Sequence, residues 1–167
     1  HQRIIELLKP SDVLYDVMAG IGPFAFPGAK KKCCVLANDL NPESYKWLQT
    51  NMKLNKVGNA AQCYNMDARD FARQQMKPHL LDQWKSRKGS YDVHVVMNLP
   101  ALAIEFLDVF NGLFTDEELT QDNVVLPMVH CYSFCSGQYG DTMLEEMRQT
   151  ASRHLGGSLP DDAVIRQ

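Results

Sequence analysis

Short apolar runs alternate with amphipathic stretches along most of this chain, and each run ends in polar residues or glycine. Val13 to Val17, Cys33 to Ala37, Ala60 to Met66, Asp92 to Leu99 and Pro127 to Phe134 read as strands. Runs this apolar suit strands buried on both faces, the habit of parallel sheets. Between them, the spacing of apolar positions predicts helices over Gln2–Leu8, Phe24–Lys31, Glu43–Leu54, Arg69–Met76, Ala101–Phe114 and Asp141–His154. In the third of these, Tyr45, Leu48, Met52 and Leu54 form the expected buried stripe. Lys77 to Ser90 is polar and charged and reads as an exposed insertion with one helical turn at Leu80 to Lys85, and Asp116 to Asp122 reads as an acidic loop. Ala163-Val164-Ile165 looks like the start of a further strand. Strand and helix in alternation predict a doubly wound, mostly parallel α/β sheet of the Rossmann-like kind.

The first strand ends on a carboxylate and two glycines spaced by one residue, Asp16-Val17-Met18-Ala19-Gly20-Ile21-Gly22. Glycines there let the backbone turn sharply and approach a ligand closely. With Ala25 in the sixth position a dinucleotide fingerprint is formally met, so a nicotinamide oxidoreductase is one reading. Two features oppose it. Pro23 removes an N–H that a pyrophosphate would use, and Asp16 would repel a phosphate while suiting an ammonium group. S-adenosylmethionine carries an ammonium, a sulfonium and no phosphate, so the electrostatics favour it.

Asp39 ends the second strand, where an acid accepts both ribose hydroxyls of an adenosine. Asn41 with Pro42 also has the form of a helix cap. Asp67-Ala68 follows the third strand, where a carboxylate can accept the adenine amine; taken alone, Asp67 is equally a plain helix cap. The fourth strand ends in Asn98-Leu99-Pro100. An Asn offers a donor and an acceptor to a base edge, and a Pro fixes a tight turn facing the pocket, as methylation of an extruded nucleobase would need.

Composition narrows the setting. A length of 167 residues with 45% hydrophobic content suits one domain, and a net charge of −3 gives no overall basic field to recruit a polyanion. Local basic clusters at Lys30-Lys31-Lys32, Lys53 with Lys56, and Lys85 to Lys88 read as solvated faces. Five cysteines without metal spacing suggest a reducing intracellular compartment and no metal. No apolar run of membrane length occurs, and none of the chain reads as a signal peptide.

Four blocks together resemble the catalytic domain of the eukaryotic and archaeal tRNA (guanine-37-N1) methyltransferases: residues 16–24, 37–45, Asn51-Met52-Lys53-Leu54-Asn55-Lys56-Val57, and Val96-Met97-Asn98-Leu99-Pro100-Ala101. Val129 to Phe134 fits as well, so the resemblance runs in order over roughly residues 1 to 155. It implies methyl transfer from S-adenosylmethionine to N1 of the guanine beside the tRNA anticodon, by a monomer. It also implies that Asp39-Leu40 and Asp67-Ala68 hold the adenosine, that Asn98 lies between cofactor and base, and that His1 contacts the cofactor. With Asp16, Gly20 and Gly22 these are the expected cofactor residues, and Asn98 and Pro100 the expected catalytic ones. The family's general base is a glutamate expected upstream of His1, and its tRNA-docking domain is not recognisable here. The chain is therefore expected to be a fragment with an incomplete last hairpin, one that binds cofactor but turns over tRNA poorly. A sister enzyme that moves the aminocarboxypropyl arm of S-adenosylmethionine onto the modified base at the same tRNA position is the near alternative. A non-catalytic fold serving as a partner surface is the distant one.

Overall fold

The computed structural model describes residues 1–133 and 140–159. Five strands, β1 (Val13–Asp16), β2 (Cys34–Asn38), β3 (Ala61–Tyr64), β4 (Val93–Asn98) and β5 (Met128–Tyr132), form one sheet in the order β3-β2-β1-β4-β5. Every pairing is parallel. The winding direction reverses between β1 and β4, with β2 and β3 on one side and β4 and β5 on the other, which opens a crevice at the carboxyl ends of β1 and β4. The doubly wound expectation holds. Ala163 to Ile165 and Phe134 lie outside the described residues.

Helices α1 (Gln2–Leu7), α2 (Ala25–Lys30) and α3 (Pro42–Leu54) are followed by α4 (Ala68–Phe71), α5 (Lys77–Ser86), α6 (Asp116–Leu119) and α7 (Asp141–Leu155). Two apolar clusters flank the sheet. One gathers Leu8, Leu14, Phe24, Val35, Leu48 and Met52 under α1 to α3; the other gathers Tyr15, Val95, Met97, Phe71, Leu80 and Trp84 under α4, α5 and the segment after β4. Leu14 and Tyr15 point to opposite clusters, as adjacent strand residues must. Asn41 caps α3 as expected: its Oδ1 accepts the Glu43 N–H at 2.9 Å, and Pro42 opens the helix.

Four expectations are corrected. Lys77 to Ser86 is not an exposed insertion but a helix continuing α4 through a π-helical turn, Ala72–Met76. Met76, Leu80 and Trp84 recur every four residues and all three are fully buried, which is the stripe that makes it a helix. Pro78 lacks an N–H, and the π turn just before it shifts the hydrogen-bond register. Leu54 is 73% exposed because the buried stripe of α3 runs through Leu48 and Met52 only. The segment after β4 is a 3-10 helix, Ala103–Phe110, rather than an α-helix over 101–114. The acidic loop contains α6, started by a capping box in which Thr115 and Glu118 satisfy each other's backbone N–H groups. Among the described residues no helix is long and apolar enough to cross a membrane. The basic clusters are also less free than expected: Lys31 donates to the carbonyls of Ile5 and Leu8, and Arg87 lies 3.9 Å over the Tyr91 ring.

Candidate cofactor and nucleobase site

The carboxyl edge of the sheet carries the three strand-end acids, and two of them, Asp16 and Asp39, meet at the glycine turn while Asp67 heads the next helix. After β1 the backbone is anchored on both sides: Val17 N–H donates to the Val96 carbonyl at 3.0 Å and Ala19 N–H to the Asn38 carbonyl at 2.7 Å. The chain then turns, with Gly20 at φ +56° and Gly22 at φ +100°, conformations that side chains with a Cβ disfavour. A Cβ on Gly22 would also come within 2.9 Å of Leu48 Cδ1, so this glycine lets the turn lie against α3. Around Gly20 there is open space instead.

Asp39 is the strut of this turn. Its Oδ2 accepts the Gly20 N–H at 2.8 Å and its Oδ1 the Asn41 N–H at 2.9 Å. One carboxylate thereby fixes the glycine turn and the start of α3, and each oxygen keeps a lone pair for a further donor. Leu40 beside it is 67% exposed and Ile21 58%, two apolar side chains standing free at the rim. Asp67 caps α4: its Oδ1 accepts the N–H groups of Arg69 at 2.9 Å and Asp70 at 3.3 Å. Among the described residues its Oδ2 makes no hydrogen bond. The helix-cap reading of Asp67 is thus correct, and it leaves one oxygen for a ligand. Ala68 is buried at the head of the same helix.

Asp16 behaves differently. It is completely buried, with Oδ2 accepting the Ala25 N–H at 3.1 Å and Oδ1 making no hydrogen bond. Burial, reinforced by the nearby charge of Asp39 and opposed by the Ala25 hydrogen bond, lifts its pKa from 3.8 to about 7. The residue lies beneath the glycine turn rather than on its surface. It holds the head of α2 against the end of β1 and sets the charge under the loop.

Asn98 ends β4 in register with Tyr132, and its amide makes no hydrogen bond among the described residues. Leu99 and Pro100 follow on the surface, and the Leu99 carbonyl accepts from both Leu102 and Ala103, which curls the chain into the 3-10 segment. The amide is therefore left to the crevice. His1 donates from Nε2 to the Pro23 carbonyl at 2.8 Å, and its ring centroid lies 4.7 Å from that of Phe24. Phe24 in turn lies 5.8 Å from Tyr132. The first residue of the described chain is thus seated on the glycine loop, in an aromatic row that reaches β5.

Two site residues escaped the sequence reading. Asn38 Nδ2 donates to the carbonyls of Val17 and Met66 at 3.1 and 3.0 Å, and its Oδ1 accepts the Met66 N–H at 3.0 Å. This buried amide ties the ends of three strands into one edge. Asn65 Nδ2 donates to the carbonyls of Asp39 and Leu40 at 2.7 and 3.0 Å. Asn38 directly precedes Asp39 and Asn65 lies two residues before Asp67, the one available clue to them. Arg69, next to Ala68, pairs through two nitrogens with Asp108 at 2.9 to 3.2 Å and lies 4.3 Å over the Phe106 ring, joining the Asp67 side of the edge to the segment after Asn98.

The model of the TRM5/TYW2 methyltransferase domain matches residues 1–152. The chain belongs to that family. It is 47% identical over 167 residues to a tRNA (guanine(37)-N(1))-methyltransferase of Drosophila melanogaster, covering 98% of this chain and 36% of the relative. A human protein of the same name is 52% identical over 162 residues, covering 95% of this chain and 30% of the relative. The crystal structure of wild-type Trm5b from Pyrococcus abyssi superposes with a TM-score of 0.59 at 30% identity, covering 91% of this chain and 38% of that one. The chain spans about a third of the length of these relatives. Membership of the TRM5/TYW2 family removes the nicotinamide oxidoreductase reading, and Pro23 at the glycine turn accounts for it chemically.

Proposed function

We propose that this domain transfers the methyl group of S-adenosylmethionine to N1 of guanine 37 in tRNA, acting as a monomer on the anticodon region. The observation that carries the reading is the 47 to 52% identity, over nearly the whole chain, to relatives named for that reaction. The residues present suit the cofactor. Asp39 is held by two backbone N–H groups with lone pairs to spare for ribose hydroxyls, Asp67 keeps Oδ2 for the adenine amine, and Leu40 and Ala68 offer apolar cover. Once ionised, Asp16, whose Oδ1 is unpartnered, puts negative charge under the loop, which favours a cationic ligand over a phosphate. His1 on the glycine loop is positioned to cover the cofactor from that side.

When bound, S-adenosylmethionine supplies an electrophilic methyl carbon on a positively charged sulfur. The chain's own part is positioning. Gly20 and Gly22 shape the turn, Asn98 presents its amide to the edge of the flipped guanine, and Pro100 stiffens the turn that backs it. Four free cysteines among the described residues support a reducing intracellular compartment for the reaction.

The test is to incubate the protein carrying this domain with S-adenosylmethionine and a tRNA transcript, then measure modified nucleosides by mass spectrometry. Gain of one methyl on guanine 37, absent when position 37 is adenine, is the expected result. An aminocarboxypropyl adduct instead would assign the sister reaction, which the shared family admits. No modification at position 37, on the transcript or on tRNA that already carries the modified base there, would overturn both.

A further inference from the structure

The amino-terminal edge of the sheet, opposite the cofactor site, carries a second group of reactive side chains. Asp12, just ahead of β1, and His94, in β4, are only 2% and 1% exposed, and Asp12 Oδ2 lies 3.4 Å from His94 Nε2. Asp92, just ahead of β4, joins them from the surface: one ligand atom of each of the three lies within 4.8 Å of the other two. The parallel register that pairs Val13 with Val93 sets the two aspartates side by side. Asp12 is rigidly held, with Oδ1 accepting the Asp92 N–H at 2.9 Å and Oδ2 the Lys9 N–H at 2.8 Å.

The state of His94 makes this more than a cluster of acids. Its Nδ1 is 3.0 Å from Nε2 of His130, and the two rings stack with centroids 5.3 Å apart. That contact occupies Nδ1 and leaves Nε2 aimed at Asp12 Oδ2, 3.4 Å away. Nε2 is buried and makes no hydrogen bond. A buried ring nitrogen and a buried carboxylate that face each other without a hydrogen bond are polar groups for which a shared cation would compensate. An imidazole oriented through its second nitrogen is also how proteins prepare a metal ligand.

We propose that Asp12, Asp92 and His94 form a binding site for a zinc-class divalent ion that ties the amino ends of β1 and β4 together. Two donors about 2.0 to 2.1 Å from a tetrahedral zinc stand about 3.3 to 3.4 Å apart, and the observed Nε2 to Oδ2 separation is 3.4 Å. One imidazole with carboxylates selects such an ion over calcium or magnesium, which take oxygen alone. Lys9 Nζ, 3.3 Å from Asp92 Oδ2, balances the carboxylate charge at the mouth of the site. Its side chain is 71% exposed, so it swings into solvent as the ion enters. The site lies at the edge of the sheet away from the glycine turn, and its role is to stabilise the fold.

The experiment titrates the chain with Co²⁺, read by visible absorption, and with Zn²⁺, read by calorimetry and by the melting temperature. One ion per chain with a rise in melting temperature is expected. Asp92→Asn, at a surface position that tolerates the change, weakens binding at least tenfold and removes the thermal shift. Lys9→Gln tightens binding several-fold by removing a competing charge. The two opposite shifts together support the site. Absence of either, or no saturable binding, overturns it and makes His94 and Asp12 a simple buried polar contact. Thiolate-to-cobalt charge-transfer absorption would put the ion on cysteines and overturn it equally.

Discussion

Asp39 Oδ2 accepts the backbone N–H of Gly20 across 2.8 Å, so the acid that ends β2 also holds the glycine turn that follows β1. On the proposed reading one side chain therefore governs both the contact to the ribose and the shape of the loop around the rest of the cofactor. Asp39→Ala loses both and should weaken S-adenosylmethionine binding by well over tenfold, more than about 1.4 kcal/mol. Asp39→Asn keeps an acceptor for only one of the two N–H groups in a given orientation and should fall between. Isothermal titration of the three proteins measures this; equal affinities would remove Asp39 from the site.

Asp16 makes stability depend on pH. Its pKa is raised from 3.8 to about 7 by burial, so between those values the folded protein holds a proton that the unfolded chain releases. Stability from this group is complete below pH 3.8, falls as pH climbs toward 7, and levels off above it, the whole change being on the order of 4 kcal/mol. Asp16→Asn, which cannot ionise, should flatten the profile and be the more stable protein at pH 8. Urea unfolding at pH 5, 6, 7 and 8 follows both slopes. The same carboxylate favours a cationic ligand only once ionised, so S-adenosylmethionine should bind more tightly at pH 8 than at pH 6, and this difference should vanish in Asp16→Asn.

What could be read from the sequence followed local chemistry. Asn41-Pro42 announced a capped helix because cap, proline and helix lie within three residues, and the acids at 16, 39 and 67 announced an edge because each closes an apolar run. Roles that depend on distant partners were hidden. Asn38 looks like an ordinary polar residue until Val17 and Met66 arrive beside it. The 3-10 pitch of Ala103–Phe110 is invisible to apolar periodicity, which records which side is buried and not the rise per residue. Asp12 and His94 sit 82 positions apart and meet only through the β1–β4 register.

Trp84 tests the helix that polarity concealed. Its ring is fully buried, its Nε1 donates to the Val125 carbonyl at 3.0 Å, and it packs 5.1 Å from Phe114. Trp84→Ala should cost about 3 to 5 kcal/mol of stability, while Lys85→Ala, on the exposed side of the same helix, should change it by less than about 0.5 kcal/mol. Chemical denaturation distinguishes them. If both were neutral, Lys77 to Ser86 would be the solvated insertion that its charges suggest.

Asn98 separates binding of the cofactor from binding of the base. Its amide makes no hydrogen bond among the described residues, so truncation leaves the fold and the backbone contacts that hold Asp39 and Asp67 intact. Asn98→Ala should keep S-adenosylmethionine affinity within about twofold and lower kcat for tRNA methylation by about 10²-fold or more, the usual cost of losing an oriented polar contact to the reacting group. Asn98→Asp keeps the shape and the acceptor but exchanges an amide donor for a charge. If the amide N–H is what guanine needs, this variant should be as slow as alanine; if the acceptor is, it should retain most of the rate. Single-turnover kinetics with saturating cofactor read the chemical step directly. An unchanged rate in Asn98→Ala would move the base-positioning role away from the end of β4.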